Sequence, residues 1–253
     1  MRRFTRADGS VLQALGPVDL ALHPGEFFSI IGPSGCGKST LIDIVTGLVA
    51  PDEGSVSAEG VLYAGTVPQG IGLVLQEDAS FPWLSVWDNV AFGLRRLGRS
   101  KQDIDAKVAH ALAFMGLKDF AHARPAQLSG GMRQRMCIAR TLVLEPRFLV
   151  LDEPFGALDQ QTRLLMGEEL LRVWRETGAT VLLITHSLDE AAMLSDRVAI
   201  MSARPGCILE VIETGWHRER DSTVASTAAF GAITGRLWER LRGESMKAMR
   251  GAT

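Results

Sequence analysis

Cysteine is scarce in this chain, and what there is forms no pattern. Cys36, Cys137 and Cys207 show no CxxC or metal-ligand spacing, so neither a zinc site nor a disulfide framework is expected. An odd, sparse set of thiols suits a reducing cytosol. An excess of one charge is also missing. Twenty-seven Lys and Arg stand against 29 Asp and Glu, a formal charge of −2, which removes the bulk electrostatic case for nucleic-acid binding. No apolar run reaches the ~18 residues that a transmembrane helix needs, so membrane association is expected only through a partner. The basic start, Met1-Arg2-Arg3-Phe4, is followed by Asp8, Gly9, Pro17 and Asp19, which interrupt the apolar core a signal peptide requires. There is no internal repeat and no low-complexity tract.

What is present is enough apolar material for a substantial core. Hydrophobic residues make up 46% of 253, which allows one large domain or a core with an inserted subdomain. Phe27-Phe28-Ser29-Ile30-Ile31 reads as a buried strand ending at Gly32. Helical character follows from Ser39 to Leu48. Gly60–Tyr63 and Ile71–Leu75 look like short strands. From about residue 85 the pattern turns helical, and Ile104, Val108, Ala111, Leu112 and Met115 share one face. A helix after Gly131, a strand at Phe148–Leu151, a helix at Leu164–Thr177 and a strand at Thr180–Thr185 come next. A helix at Leu188–Leu194 and a strand at Val198–Met201 complete the alternation. Strands alternating with helices predict a mostly parallel α/β sheet. No strand is expected beyond about Thr214, where Ile233–Met249 reads as a basic amphipathic helix or a tail packed on the core.

Gly32-Pro33-Ser34-Gly35-Cys36-Gly37-Lys38-Ser39 fits G-x-x-x-x-G-K-[ST], with a strand before it and a helix after it. Its glycines let backbone N–H groups turn inward around phosphates, with a helix N-terminus behind them. Lys38 is placed to reach the β- and γ-phosphates and Ser39 to ligate Mg²⁺. Asp152 ends an apolar strand and Glu153 follows it. In P-loop ATPases a strand-end aspartate holds Mg²⁺, and a neighbouring carboxylate can polarise the attacking water. His186 follows the strand at Thr180–Thr185, and Gln76 follows Ile71–Leu75. Both fall at the C-terminal edge where α/β sheets place ligands, although a lone histidine is more often structural. Leu128-Ser129-Gly130-Gly131-Met132 is a second glycine-rich turn with a hydroxyl, a close-approach backbone and a helix dipole behind it.

Together, Gly32–Ser39, Gln76, Leu128–Met132, Asp152-Glu153, Ala157-Leu158-Asp159 and His186 resemble an ABC transporter ATPase subunit, in that family's order and spacing over almost the whole chain. The resemblance implies a P-loop NTPase of RecA-like α/β fold. Residues 1–84 and 132–213 would form the ATP-binding core, 85–131 an inserted helical signature subdomain, and 214–253 a helical tail. It implies a head-to-tail dimer holding two ATP molecules with Mg²⁺. Gly32, Pro33, Ser34, Gly35, Cys36, Gly37, Lys38, Ser39 and Thr40 would bind phosphate, and Ser39, Gln76 and Asp152 the metal. Glu153 would be the general base, with Gln76 sensing metal and water and His186 on the γ-phosphate. Ser129, Gly130 and Gly131 would face the ATP of the other subunit, and Asp159 would couple the half-sites. Phe4 is the candidate by position for stacking on adenine, with core packing as the alternative. Only three residues precede it, so the family's first strand is expected to be missing.

The run Phe81–Leu94 puts three aromatic residues in seven between Phe81 and Trp87. In the family this region forms part of the groove that receives a permease helix, a helix-in-groove mode. With Met201-Ser202-Ala203-Arg204-Pro205-Gly206, it resembles the nitrate/sulfonate/taurine import group. That implies a peripheral ATPase dimer on the cytoplasmic face of the inner (plasma) membrane, two permease subunits, an external solute-binding protein and no nucleic acid. The alternative is a soluble ABC-type ATPase acting in DNA repair or translation. One P-loop, one Leu-Ser-Gly-Gly and no inserted coiled coil weigh against it. A P-loop GTPase would need Asn-Lys-x-Asp, which is lacking.

Overall fold

The computed structural model describes residues 1–5, 8–77 and 79–250. Its centre is a six-stranded sheet. Five strands are parallel: β3 (Phe27–Ile31), β6 (Ile71–Val74), β7 (Phe148–Asp152), β8 (Thr180–Ile184) and β9 (Arg197–Met201). The sixth, β10 (Ile208–Glu213), closes one edge antiparallel to β9, and the spatial order is β10-β9-β3-β8-β7-β6.

Side chains alternate across the sheet with period two, so adjacent residues of one strand feed different layers. Phe27, Leu149, Leu151, Val181 and Leu183 pack on one face with α2 (Val86–Arg96), α3 (Lys101–Phe114), α4 (Gly130–Leu142) and α5 (Gln160–Thr177). Phe28, Ile30, Val150, Leu182 and Ile184 face the other way, against Leu41, Ile42 and Ile44 of α1 (Lys38–Val45). A strand that serves two layers must be apolar at every position, which is why these strands read as continuous hydrophobic runs. The apolar cluster of the first face runs without a break into the helical segment, through Val90, Leu94, Val108, Leu112 and Met136.

Helix starts are set by side-chain caps that satisfy otherwise orphan N–H groups. Ser85 accepts from Asp88 N at 3.0 Å, Ser100 from Asp103 N at 3.2 Å and Ser129 from Met132 N at 3.3 Å. Asp159 accepts from Thr162 N at 3.0 Å and Ser187 from Glu190 N at 3.2 Å, opening α5 and α6 (Leu188–Leu194). The cap at Asp159 starts α5 at Gln160, one turn before the apolar pattern begins.

The expected absence of a first strand is corrected. Arg2–Thr5 is β1, and it pairs antiparallel with β2 (Val11–Leu15), Phe4 standing opposite Leu12. Arg-Arg-Phe-Thr carries no apolar alternation, so periodicity could not find it. Long-range polar contacts hold it: Arg2 pairs with Asp52 at 2.5 Å and Arg3 N donates to Asp52 Oδ2 at 2.6 Å. Strand β10 also escaped the sequence reading. A two-stranded hairpin, β4 (Val56–Ala58) and β5 (Val61–Tyr63), forms a separate small sheet. The terminal helix α7 (Ala228–Arg250) buries Leu237 and Leu241 against Ile31, Ile200, Ile212 and α6, and leaves Trp238 outside.

Candidate active site

Five parallel strands end on the same side, and the residues after them share one edge. The loop Gly32–Gly37 leaves β3, Gln76 follows β6, Asp152 closes β7, His186 follows β8, and the turn 202–207 follows β9. Strand direction alone therefore gathers segments that are far apart in sequence, at the edge where open α/β sheets bind ligands.

The phosphate loop takes its shape from glycine. Gly35 has φ +73° and Gly37 φ +112°, conformations that side chains rarely adopt, and a Cβ on Gly37 would lie 2.7 Å from the Ala14 carbonyl oxygen. Gly37 then hands over to α1, whose first residue is Lys38 and whose first turn holds Ser39 and Thr40. The Lys38 ammonium donates back to the carbonyls of Gly32 at 2.9 Å and Pro33 at 3.1 Å. Cys36 is buried below the loop, and burial pushes its thiol pKa up, which makes it a packing residue rather than a nucleophile.

Asp152 and Glu153 behave differently although they are adjacent. Burial pushes the Asp152 carboxyl up to about 6; the charges of Glu153 and Asp43 add to this and Lys38 opposes it. Glu153 is turned out of the strand by a left-handed backbone, φ 45°, an uncommon conformation for such a residue and one found at functional turns. Its N–H donates to Ile184 O at 2.8 Å. That turn brings three predicted residues together: Glu153 Oε2 accepts from Gln76 Nε2 at 2.9 Å and lies 3.1 Å from His186 Nδ1. A carboxylate held by an amide and an imidazole, and otherwise open to a water, has the geometry of a general base. Hard oxygen donors from Ser39, Asp152 and Gln76 suit Mg²⁺. A half-buried carboxyl whose ionisation its neighbouring acids disfavour is relieved by a divalent cation.

The second glycine-rich turn stands apart from this cluster. Ser129 and Gly130 are exposed, and the Ser129 hydroxyl caps its own helix. Gly131 packs under the next loop, where a Cβ would come 2.7 Å from Leu158 Cδ2. Asp159 accepts from Thr162 Oγ1 at 2.6 Å, and these hydrogen bonds lower its pKa. Phe4 is 43% exposed, with the Arg2 guanidinium carbon 5.2 Å from its ring centroid; core packing is therefore not its role. Two residues next to the site were not foreseen. Glu190 is buried, accepts from Thr185 Oγ1 at 2.5 Å, and has Arg163 Nε at 3.3 Å without hydrogen-bond alignment. Its signal was its place one turn past His186 on a short helix. The other is Arg204, whose guanidinium reaches the phosphate loop.

A phosphate loop after β3 of a parallel sheet, with an acidic pair at the end of β7 and β8 between the two, defines a P-loop ATPase. The family model for ABC transporters matches residues 15–156. The taurine import ATP-binding protein of Roseobacter denitrificans is 46% identical over 206 residues, covering 81% of this chain and 76% of that protein. The taurine import ATP-binding protein of Pseudomonas aeruginosa is 43% identical over 225 residues, covering 87% and 85%. Among solved structures, an ATP-binding cassette captured as a dimer in a post-hydrolysis state with ADP and Pi superposes with a TM-score of 0.76. It is 30% identical and covers 84% of this chain and 95% of that one. The chain belongs to the ABC transporter family, and it is an ATPase.

Proposed function

We propose that this chain is the ATP-hydrolysing subunit of an importer for small sulfonate-type solutes, taurine being the solute in its relatives' names. Two copies would associate head to tail as a homodimer, each ATP lying between the Lys38 loop of one copy and Ser129–Gly131 of the other. In this reading residues 1–84 and 132–213 form the core, 85–131 the signature subdomain and 214–253 the tail.

Backbone N–H groups of Gly32–Thr40 and the Lys38 ammonium bind the phosphates, and Phe4 offers an aromatic face to the adenine. Ser39, Asp152 and Gln76 would hold Mg²⁺, which supplies charge neutralisation on the phosphates when bound. Glu153 takes the proton of the attacking water, positioned by Gln76, while His186 reaches the γ-phosphate. Asp159, at the far end of the β7–α5 loop that begins with the base, couples one half-site to the other. ATP bridging both copies favours the closed dimer, and hydrolysis removes that preference.

The observation that carries the transport reading is the path from Gln76 outward. Gln76 bonds the base, and the same loop continues into an aromatic platform. Phe81 packs at a tilt against Trp83 and Phe92, at centroid distances of 5.6 and 4.7 Å, and Arg140 covers its ring at 4.8 Å. Trp83 is 69% exposed beside Phe92 at 41%. A permease helix seated there would press on the loop that holds the base. Among the described residues no helix is long and apolar enough to cross a membrane. Docking on the permease would itself put the chain on the cytoplasmic face of the membrane, as a peripheral subunit. An external solute-binding protein would complete the importer. Co-expression with permease subunits of a taurine-type importer tests the reading. The wild type should sediment with membranes and a Trp83→Glu chain should remain soluble while keeping its ATPase activity. Equal partitioning of both would contradict it.

A further inference from the structure

The turn after β9 takes no part in the chemistry assigned above, yet it touches the phosphate loop. Arg204 Nε and Nη2 both donate to the Gly35 carbonyl, at 3.1 and 2.9 Å. Gly206, two residues on, packs against the loop from below: a Cβ there would lie 2.1 Å from the Cys36 carbonyl oxygen. Gly206 N also donates to Ala14 O at 3.1 Å, and Gly206 O accepts from Gly16 N at 2.9 Å, which fixes the turn to the end of β2. The turn is stiffened within itself. Ser202 Oγ donates to Pro205 O and accepts from Cys207 N, both at 2.9 Å. Its far side is held by α7, where the buried Glu244 accepts from Ala203 N at 2.8 Å and pairs with Lys247 at 2.5 Å.

We propose that Arg204 is a positioning residue of the nucleotide site, fixing the Gly35 peptide of the phosphate loop, and that α7 holds Arg204 in register through Glu244. A trans peptide points its C=O and the next N–H in opposite directions. With the Gly35 carbonyl held by Arg204, the Cys36 N–H points the other way, where it closes the turn onto Pro33 O at 3.3 Å. Gly35, at φ +73°, has more freedom to flip that peptide than any other residue would. A flip would break the Pro33–Cys36 turn and reverse a dipole in a cradle built from N–H groups. The two-donor fork of an arginine removes that freedom, and a lysine cannot reproduce its geometry. The C-terminal helix is thereby linked to the loop that grips ATP, through one carboxylate, one short turn and one guanidinium.

This rests on residues 32–40 being the ATP cradle, so Lys38→Ala is measured alongside. Steady-state turnover and binding of a fluorescent ATP analogue are the readouts, on the full-length protein. Arg204→Ala should raise the KM for ATP and weaken analogue binding by about 5- to 10-fold, with kcat within about twofold, as expected for losing a charge-assisted hydrogen bond at a partly exposed site. Arg204→Lys keeps the charge without the fork and should recover less than half of the loss. Glu244→Ala should move KM the same way by about threefold, and Glu244→Gln, whose amide oxygen still accepts from Ala203 N, should stay near wild type. An unchanged KM in Arg204→Ala, or full recovery by Arg204→Lys, would overturn the brace. An unchanged KM in Glu244→Ala would detach α7 from it. Undiminished analogue binding by Lys38→Ala would instead sink the cradle assignment.

Discussion

The two glycine-rich turns of this molecule are built for opposite situations. The loop at Gly32–Ser39 is braced from beneath by its own chain, with Ser34, Gly35 and Ser39 exposed: Lys38 folds back onto Gly32 and Pro33, and Ala14 and Gly206 pack against it. Glu153, Gln76 and His186 converge at the same sheet edge. At Leu128–Met132, Leu128 is buried in the core, Ser129 caps its own helix, and Ser129 and Gly130 are exposed. In the proposed head-to-tail dimer the exposed Ser129 and Gly130 would face the nucleotide of the other copy, while the Lys38 loop would hold its own.

Mutations can break this contrast. The largest effect is expected at Glu153, the proposed base: Glu153→Gln should lower kcat by about 1,000-fold, within the range for removing a general base, while ATP binding persists. Lys38→Ala should abolish measurable analogue binding as well. Ser129→Arg separates the two turns most cleanly. It should cut turnover by about 100-fold or more through lost transition-state stabilisation but leave analogue affinity of the isolated chain within about twofold. Mixing Ser129→Arg with Lys38→Ala chains should then recover activity, because one composite site in each mixed dimer is intact. No recovery on mixing would argue that each chain works alone.

Asp152 gives a subtler test, through stability. Its folded pKa, about 6, is raised above the unfolded value. Between these two values the native state binds more protons than the unfolded one, so stability falls as pH rises through that window. At pH 7 without metal, Asp152→Asn should be more stable than wild type by about 1–2 kcal/mol, the full shift being partly screened by solvent. Mg²⁺ with ATP should stabilise the wild type and reverse the order. A denaturant titration with and without Mg²⁺–ATP measures both. The smallest effect is at Phe4, where Phe4→Ala should weaken analogue binding about 3- to 10-fold through lost ring stacking.

What the sequence disclosed follows from how local the information is. Asp152 closes a strand, His186 follows one closely, and the Lys38 loop opens at the end of another; each strand is an apolar run that announces its own end. The edge they share then follows from parallel topology. Arg2–Thr5 has no such pattern; it pairs with the next strand, β2, and only its contacts to Asp52, about 50 positions away, are long-range. The Arg204 contact spans 169 positions of sequence, and it exists because β9 lies beside β3 in the sheet, which no local spacing encodes. Glu190 needed the fold of α6 to place it under Thr185. The left-handed backbone at Glu153, which aims its carboxyl at Gln76 and His186, is equally invisible in a run of letters.

The central claim is that ATP is held between two copies of this chain. Size-exclusion chromatography with light scattering on Glu153→Gln, with ATP and Mg²⁺, tests it most directly. The account predicts a species of twice the 27.4 kDa chain mass that reverts to the single chain when ATP is replaced by ADP. A single-chain mass in saturating ATP and Mg²⁺, with nucleotide bound, would contradict it.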